Sequence, residues 1–331
     1  MGDESPKRRR SPIDERYTAD NVVESGRQAA AETSRLTLIG APTDLGSAFR
    51  GSGGGPDALR AGGLAAALRR SGWDIADAGN IVARSDRVGA KVGGCTSLNE
   101  VAAACRAVRD AASGALAMGR MPLLLGGDHS LAIGSIAAAA AHCARLRRPL
   151  FVLWLDAHAD FNTAESSPSG YVFGMPVAVV TGEGHPLLLA LGLARPMIEI
   201  ENVALLGVRS VDPLEIVRVR QRGLRVHSMD EIRRQGMAAL AMRALTGALR
   251  EGAHIHVSFD LDVLDPGEVP GVGLPEAGGT TLVETEACLA AVLGTSLVGS
   301  FDLMEHNPSG DPSGQTTQRV IALMERALKR S

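Results

Sequence analysis

The chain has 331 residues, of which 45% are apolar and 21% charged, and its formal net charge is −3. That length and balance allow one large α/β domain or two ordinary ones around a sizeable core. They exclude a basic field for nucleic acid or an anionic membrane, and apolar runs such as Ile136–Ala141 fall far short of the roughly 20 residues that span a bilayer.

Residues 1–33 carry many charges and few large apolar side chains, which predicts a disordered N-terminal extension. The start, MGDESPKRRRSP, has no apolar stretch of the kind a secretory leader needs. Its basic run Lys7–Arg10 reads as a solvated tail rather than a nucleic-acid contact. Residues 34–331 read as one domain in which short apolar runs alternate with helical stretches. The candidate strands are Leu36–Gly40, Pro122–Leu125, Leu150–Leu155, Val203–Gly207, Leu224–His227, Ile255–Phe259 and Val298–Leu303. Helices are predicted at Ser97–Gly119, with Ser97 and Glu100 as a capping box, and at Ser130–Leu146, Pro213–Arg222, Met237–Glu251, Thr281–Leu293 and Gln315–Lys329. Such alternation argues for a parallel β-sheet sandwiched between helices, a three-layer α/β/α fold. Ligands of open α/β sheets bind beyond the carboxyl ends of the strands, so chemistry is sought there. The four cysteines show no C-x-x-C pair, which suits buried thiols in a reducing cytoplasm.

Three segments each begin where an apolar strand ends: Leu123-Leu-Leu-Gly-Gly-Asp-His129, Asp156-Ala-His158-Ala-Asp160 and Ser258-Phe-Asp260-Leu-Asp262. In extended backbone a spacing of two places Asp156, His158 and Asp160 on one face, and Asp260 and Asp262 repeat the pattern. Gly126 and Gly127 are expected to let the chain turn tightly and aim His129 inward. Carboxylates gathered at the end of a buried strand repel unless something compensates them. An N-cap and ion-pair cluster is one compensation and a bound cation is the other. Two imidazoles and four carboxylates form a hard, oxygen-rich donor set that suits Mn²⁺ better than tetrahedral Zn²⁺. Six ligands are many for a single catalytic ion and suit two ions about 3.5–4 Å apart. His142, His185, His227, His254 and His256 lie in no such motif and read as structural or surface residues.

These three segments resemble the signatures of the ureohydrolase family, the arginases, agmatinases and their relatives. The likeness extends over about residues 35–330 and includes Gly40-Ala-Pro-Thr, Gly54-Gly55-Pro56 and Asp302-Leu-Met-Glu305-His-Asn-Pro308. It implies two Mn²⁺ per chain held by His129, Asp156, Asp160 and Asp260, with His158 and Asp262 completing the two shells. It implies further that Glu305 holds the substrate guanidinium, that Asp160 relays a proton to the leaving amine, and that the assembly is a homotrimer or homohexamer. Asn162, Ser167 and Ser169 match positions that hold a substrate α-carboxylate in the arginase branch, and Asp212 matches the carboxylate that holds the α-amino group. Without the resemblance, Ser167 and Ser169 read more readily as ordinary loop residues than as ligands of a carboxylate.

The sequence departs from the arginase pattern at three active-site positions. Tyr171-Val-Phe173-Gly174 stands where arginases have Asn-x-His-Gly, so the family's proton-carrying histidine is a phenylalanine, and Leu274 stands where they have a threonine facing the substrate. His306 is discounted as a replacement base because it is expected to point away from Glu305. The expectation is a cytoplasmic binuclear-manganese amidinohydrolase. Its substrate would be L-arginine or an N-modified arginine such as N-hydroxyarginine. A formimidoylglutamate or other guanidino-acid hydrolase, and a metal-holding member without catalysis, are the alternatives.

Overall fold

The structure is a computed structural model that describes residues 34–81 and 88–329. The predicted extension at 1–33 lies outside the described residues. Eight parallel strands form one sheet: β1 (Arg35–Gly40), β2 (Asp74–Asn80), β3 (Met121–Leu125), β4 (Leu150–Leu155), β5 (Val203–Val208), β6 (Arg225–Ser228), β7 (His254–Asp260) and β8 (Val298–Met304). Their order is β2-β1-β3-β8-β7-β4-β5-β6. The central strands are buried along their whole length because apolar neighbours feed both faces. Leu123, Leu125, Leu153 and Leu155 enter one core, while Leu124, Val152, Trp154 and Leu205 enter the other.

All seven predicted strands are present, and β2 is the addition. Its sequence, Asp-Ile-Ala-Asp-Ala-Gly-Asn, is polar and largely exposed, as befits an edge strand, and so leaves no apolar run to read. The helix predicted at Ser97–Gly119 runs Leu98–Ala117, but Ser97 does not cap it. Ser97 has a left-handed φ of 52°, and its hydroxyl instead accepts from Gly89 N at 2.9 Å. True capping boxes close at Asp212/Glu215 and Thr281/Glu284. The predicted helix Met237–Glu251 is two helices, Met237–Ala244 and Thr246–Arg250.

The strand order is what assembles the site. β3, β8, β7, β4 and β5 are consecutive in the sheet, so the segments that leave their carboxyl ends meet in one place. Those segments carry His129, Glu305, Asp260 and Asp262, Asp156 to Asp160, and Asp212 respectively.

Candidate metal centre and substrate cavity

Two clusters of ligand atoms stand at the end of the sheet, His129 with Asp156 and Asp260, and Asp156 with His158 and Asp262. Within each cluster the atoms lie within 4.8 Å of one another. Asp156 belongs to both. Its Oδ2 lies 2.9 Å from His129 Nδ1 and its Oδ1 lies 3.4 Å from His158 Nδ1, the arrangement of a carboxylate that bridges two centres. Asp260 Oδ2 is 3.0 Å from His129 Nδ1, and Asp262 Oδ2 is 2.9 Å from His158 Nδ1. Asp160 lies outside both clusters of mutually close atoms, although its Oδ2 reaches within 3.3 Å of His129 Nδ1.

The fit to a cation rests on what these atoms fail to do. His129 Nδ1 is surrounded by three carboxylate oxygens, yet it makes an aligned hydrogen bond to none of them. Buried ligand atoms that lie this close without pairing are a set that a shared cation would satisfy. The electrostatics agree. Burial and the neighbouring Asp156 carboxylate push Asp160 well above the usual carboxylate range, and burial with Asp262 does the same to Asp260. Burial opposes the charged form of His129, but the adjacent Asp156 and Asp260 outweigh it and raise its pKa well above the ordinary value. Carboxylates outnumber imidazoles here, and a divalent cation would balance them.

The backbone is bent to serve this geometry. Asp160 and Glu305 have left-handed φ values of 49° and 61°, sparsely populated for residues with side chains and concentrated at functional sites. Gly126 and Gly127 have no left-handed φ, which corrects the expected reason for them. A Cβ on Gly127 would collide with Thr43 O, and one on Gly126 with the Met304 side chain. Gly127 is required by its close approach to the Thr43 backbone, whereas at Gly126 only the end of the Met304 side chain stands in the way, and Gly127 O accepts from Glu305 N at 2.9 Å.

Glu305 is buried. Its Oε1 accepts from His129 N at 3.0 Å, and its Oε2 has no hydrogen-bond partner. Burial, with the Asp260 and Asp128 charges, holds its carboxyl well above the usual range. His306 turns away, as expected. Its ring contacts Gly271 O at 3.3 Å and Thr317 Oγ1 at 2.9 Å in the opposite wall.

A cavity of about 140 Å³ opens beside the cluster. His158 and Asp160 line one part of it, and Asn162, Ser167, Ser169 and Asp212 line another. Asn162 Nδ2 donates to Asp212 Oδ2 at 3.0 Å, while Ser167 Oγ and Ser169 Oγ are 3.4 Å apart. Tyr171, Phe173 and Leu274 line the same cavity. Phe173 packs edge-on against Phe49 with ring centroids 6.2 Å apart, so the aromatic wall continues to a residue that the sequence motifs do not flag.

Four further residues escaped the sequence reading. Ser258 Oγ is 2.9 Å from His129 Nε2, and the signal for it is its place two residues before Asp260 on the same face of β7. Trp154 stacks on His129 at 4.0 Å between centroids and donates from Nε1 to Asp156 Oδ2 at 2.8 Å. Burial raises Glu215 to about 7 as it lines the cavity and accepts from Phe161 N at 2.7 Å. The D-x-x-E spacing from Asp212 was its legible sign. Glu276 faces His158, and no motif announced it.

The sheet order and the paired His/Asp clusters agree with what the comparisons show, that the chain is a hydrolase of C–N bonds in linear amidines, a ureohydrolase. The sequence profile described as "Arginase family" matches residues 34–328, and the chain belongs to that family, in its arginase branch. It is 38% identical over 291 residues to the arginase of Bacillus caldovelox, covering 87% of this chain and 96% of that protein. It is likewise 38% identical over 295 residues to the arginase of Brucella melitensis biotype 1, covering 89% and 96%. The crystal structure of the Bacillus caldovelox arginase superposes with a TM-score of 0.84 at 37% identity, over 90% of this chain and 99% of that one.

Proposed function

We propose that the protein is a binuclear-manganese amidinohydrolase that cleaves the guanidinium group of L-arginine, or of an N-modified arginine such as N-hydroxyarginine. The products are urea, or a substituted urea, and ornithine. One observation carries the reading: a single cavity joins the ligand cluster at His158 and Asp160 to the polar set Asn162, Ser167, Ser169 and Asp212. A guanidino acid has a planar cation at one end and an α-amino acid at the other, and the cavity offers groups suited to each.

On this reading His129, Asp156, Asp160 and Asp260 would hold one ion, and Asp156, His158 and Asp262 would hold the other. The oxygen-rich donor set supports manganese. When bound, such a pair of ions supplies a nucleophile from water near neutral pH. Glu305 Oε1 is pinned by His129 N, which leaves Oε2 to accept from the guanidinium. Asp160 takes the proton that the attacking water gives up and passes it to the leaving nitrogen as the C–N bond breaks, because an amide anion is too basic to depart. Asp212 receives the α-amino group, and Asn162, Ser167 and Ser169 receive the α-carboxylate. A homotrimer or homohexamer in the cytoplasm belongs to the same reading.

Phe173 cannot carry a proton, and with Tyr171 and Leu274 it makes this part of the cavity apolar. That supports slow turnover of unmodified arginine or a preference for a substituted guanidinium. A urea assay with Mn²⁺ across L-arginine, N-hydroxyarginine, agmatine, 4-guanidinobutyrate and formimidoylglutamate tests the proposal. Hydrolysis of the α-amino guanidino acids above the rest is expected, and a preference for agmatine or 4-guanidinobutyrate removes the roles given to Asn162, Ser169 and Asp212. Phe173→His should raise kcat on L-arginine by about tenfold or more and add a pH dependence near 6.5. If that variant binds Mn²⁺ and hydrolyses no member of the panel, the protein is a non-catalytic metal holder.

A further inference from the structure

We infer that Glu276 is the positioning residue for His158, and through it for the second cation, an inference that rests on the binuclear reading above. His158 turns Nδ1 toward Asp262 Oδ2 and Asp156 Oδ1, which leaves Nε2 on the far side of the ring. That Nε2 is buried and has no hydrogen-bond partner. The carboxylate it faces is Glu276, whose Oε1 stands 3.7 Å away. This is longer than a direct hydrogen bond, and the terminal torsion of a glutamate is soft enough to close it. A ligating imidazole whose other N–H is held by a carboxylate has its tautomer and ring plane fixed.

The two imidazoles of the site are therefore backed differently. His129 Nε2 has a neutral hydroxyl, Ser258 Oγ, at 2.9 Å, while His158 Nε2 faces a charged carboxylate. Glu276 is itself anchored. Ser210 Oγ donates to its Oε1 at 3.0 Å. Arg209 Nη2 donates to Glu276 O at 2.7 Å and also to Asp262 O at 2.6 Å, so one guanidinium ties the Glu276 loop to a ligand loop. The side chain of Glu276 is one-third exposed. It forms a rim to His158 rather than part of the core, so its removal leaves no buried void.

The test uses the full chain, made metal-free and titrated with Mn²⁺ by calorimetry, with metal content measured after dialysis. The wild type is expected to take up two ions. Glu276→Ala should leave the first ion's affinity unchanged and weaken the second about 10–100-fold. Glu276→Gln still offers an oxygen to the Nε2 proton and should lose less, and it serves if the alanine variant does not fold. The metal-free thermal midpoint should stay near wild type in both. Two ions bound to Glu276→Ala with wild-type affinities overturn the inference, as does equal weakening of both ions with a lowered metal-free midpoint, the mark of a structural role. A wild type that takes up fewer than two ions overturns the binuclear reading and this inference with it.

Discussion

One face of β7 carries two polar regions built from the same residue types, and they behave in opposite ways. In the lower half His254 and His256 join a closed network. His254 Nε2 meets Ser300 Oγ at 2.9 Å and Ser300 Oγ meets His256 Nδ1 at 2.8 Å. His256 Nε2 meets Asp302 Oδ2 at 3.0 Å, and Ser135 Oγ donates to the same oxygen at 2.5 Å. At the carboxyl end Asp260, with Asp262 in the turn just beyond, faces His129 and His158, and His129 Nδ1 and Glu305 Oε2 have no hydrogen-bond partner. The lower network has paired its polar groups internally and holds the sheet to the helix Ala132–Leu146, which carries Ser135. The upper cluster holds more carboxylate than its imidazoles can balance, and its atoms converge on shared positions. Burial and residue type are common to both regions. The presence of unmet convergent donors is what separates a ligand site from a structural network.

The largest test of this contrast is Asp156→Ala, which removes the carboxylate common to both clusters. Metal content should fall from two ions to fewer than one, and urea release should drop by about three orders of magnitude or more. Elemental analysis and a urea assay check it. The counterpart in the lower network is Asp302→Ala. It strands His256 Nε2 and Ser135 Oγ in the core and should cost about 3 kcal/mol of unfolding free energy in urea, with both ions retained. If Asp302→Ala instead empties the metal centre, the two regions are one unit and the comparison fails.

The smallest effect is one of pH. Burial, with His256 nearby, lowers His254 to about 3, so it stays neutral in the fold while the unfolded chain takes up a proton near 6.5. The unfolded state thus binds more protons across that window, and stability contributed by this group is lost as pH falls from about 6.5 to about 3. One such group gives a slope of up to about 1.4 kcal/mol per pH unit. Denaturant midpoints of His254→Gln, measured from pH 7 to pH 4 on metal-free protein, should fall less steeply than those of the wild type. An unchanged slope would place the acid sensitivity in the upper cluster.

Much of the candidate site was legible because the chemistry demands rare residue types at fixed spacing. Asp-x-His-x-Asp and Asp-x-Asp at the ends of apolar runs can be read without a fold as residue types, but the expected extended period of two is not what gathers them: β4 ends at Leu155, Asp160 has a left-handed φ, and Asp262 lies in a 3-10 turn after β7. The aromatic and aliphatic departures at Tyr171, Phe173 and Leu274 were legible for the same reason, as exceptions within a known spacing. Seven strands were readable because short, mostly apolar runs of four to six residues between turns have few other uses. β2 was not, since an edge strand is free to be polar.

The sequence by itself determined which donors exist and that they stand at strand ends. Only the tertiary structure decided their partners, because parallel strands pair by crossover and the order β3-β8-β7-β4-β5 brings together residues 129, 305, 260, 156 and 212, which are far apart in the chain. It alone also decided that Asp156 turns one oxygen to each cluster and that Glu276 faces the imidazole of His158. Those contacts are single approaches across long loops. They carry no periodicity, and a local pattern of residues has no means to encode them.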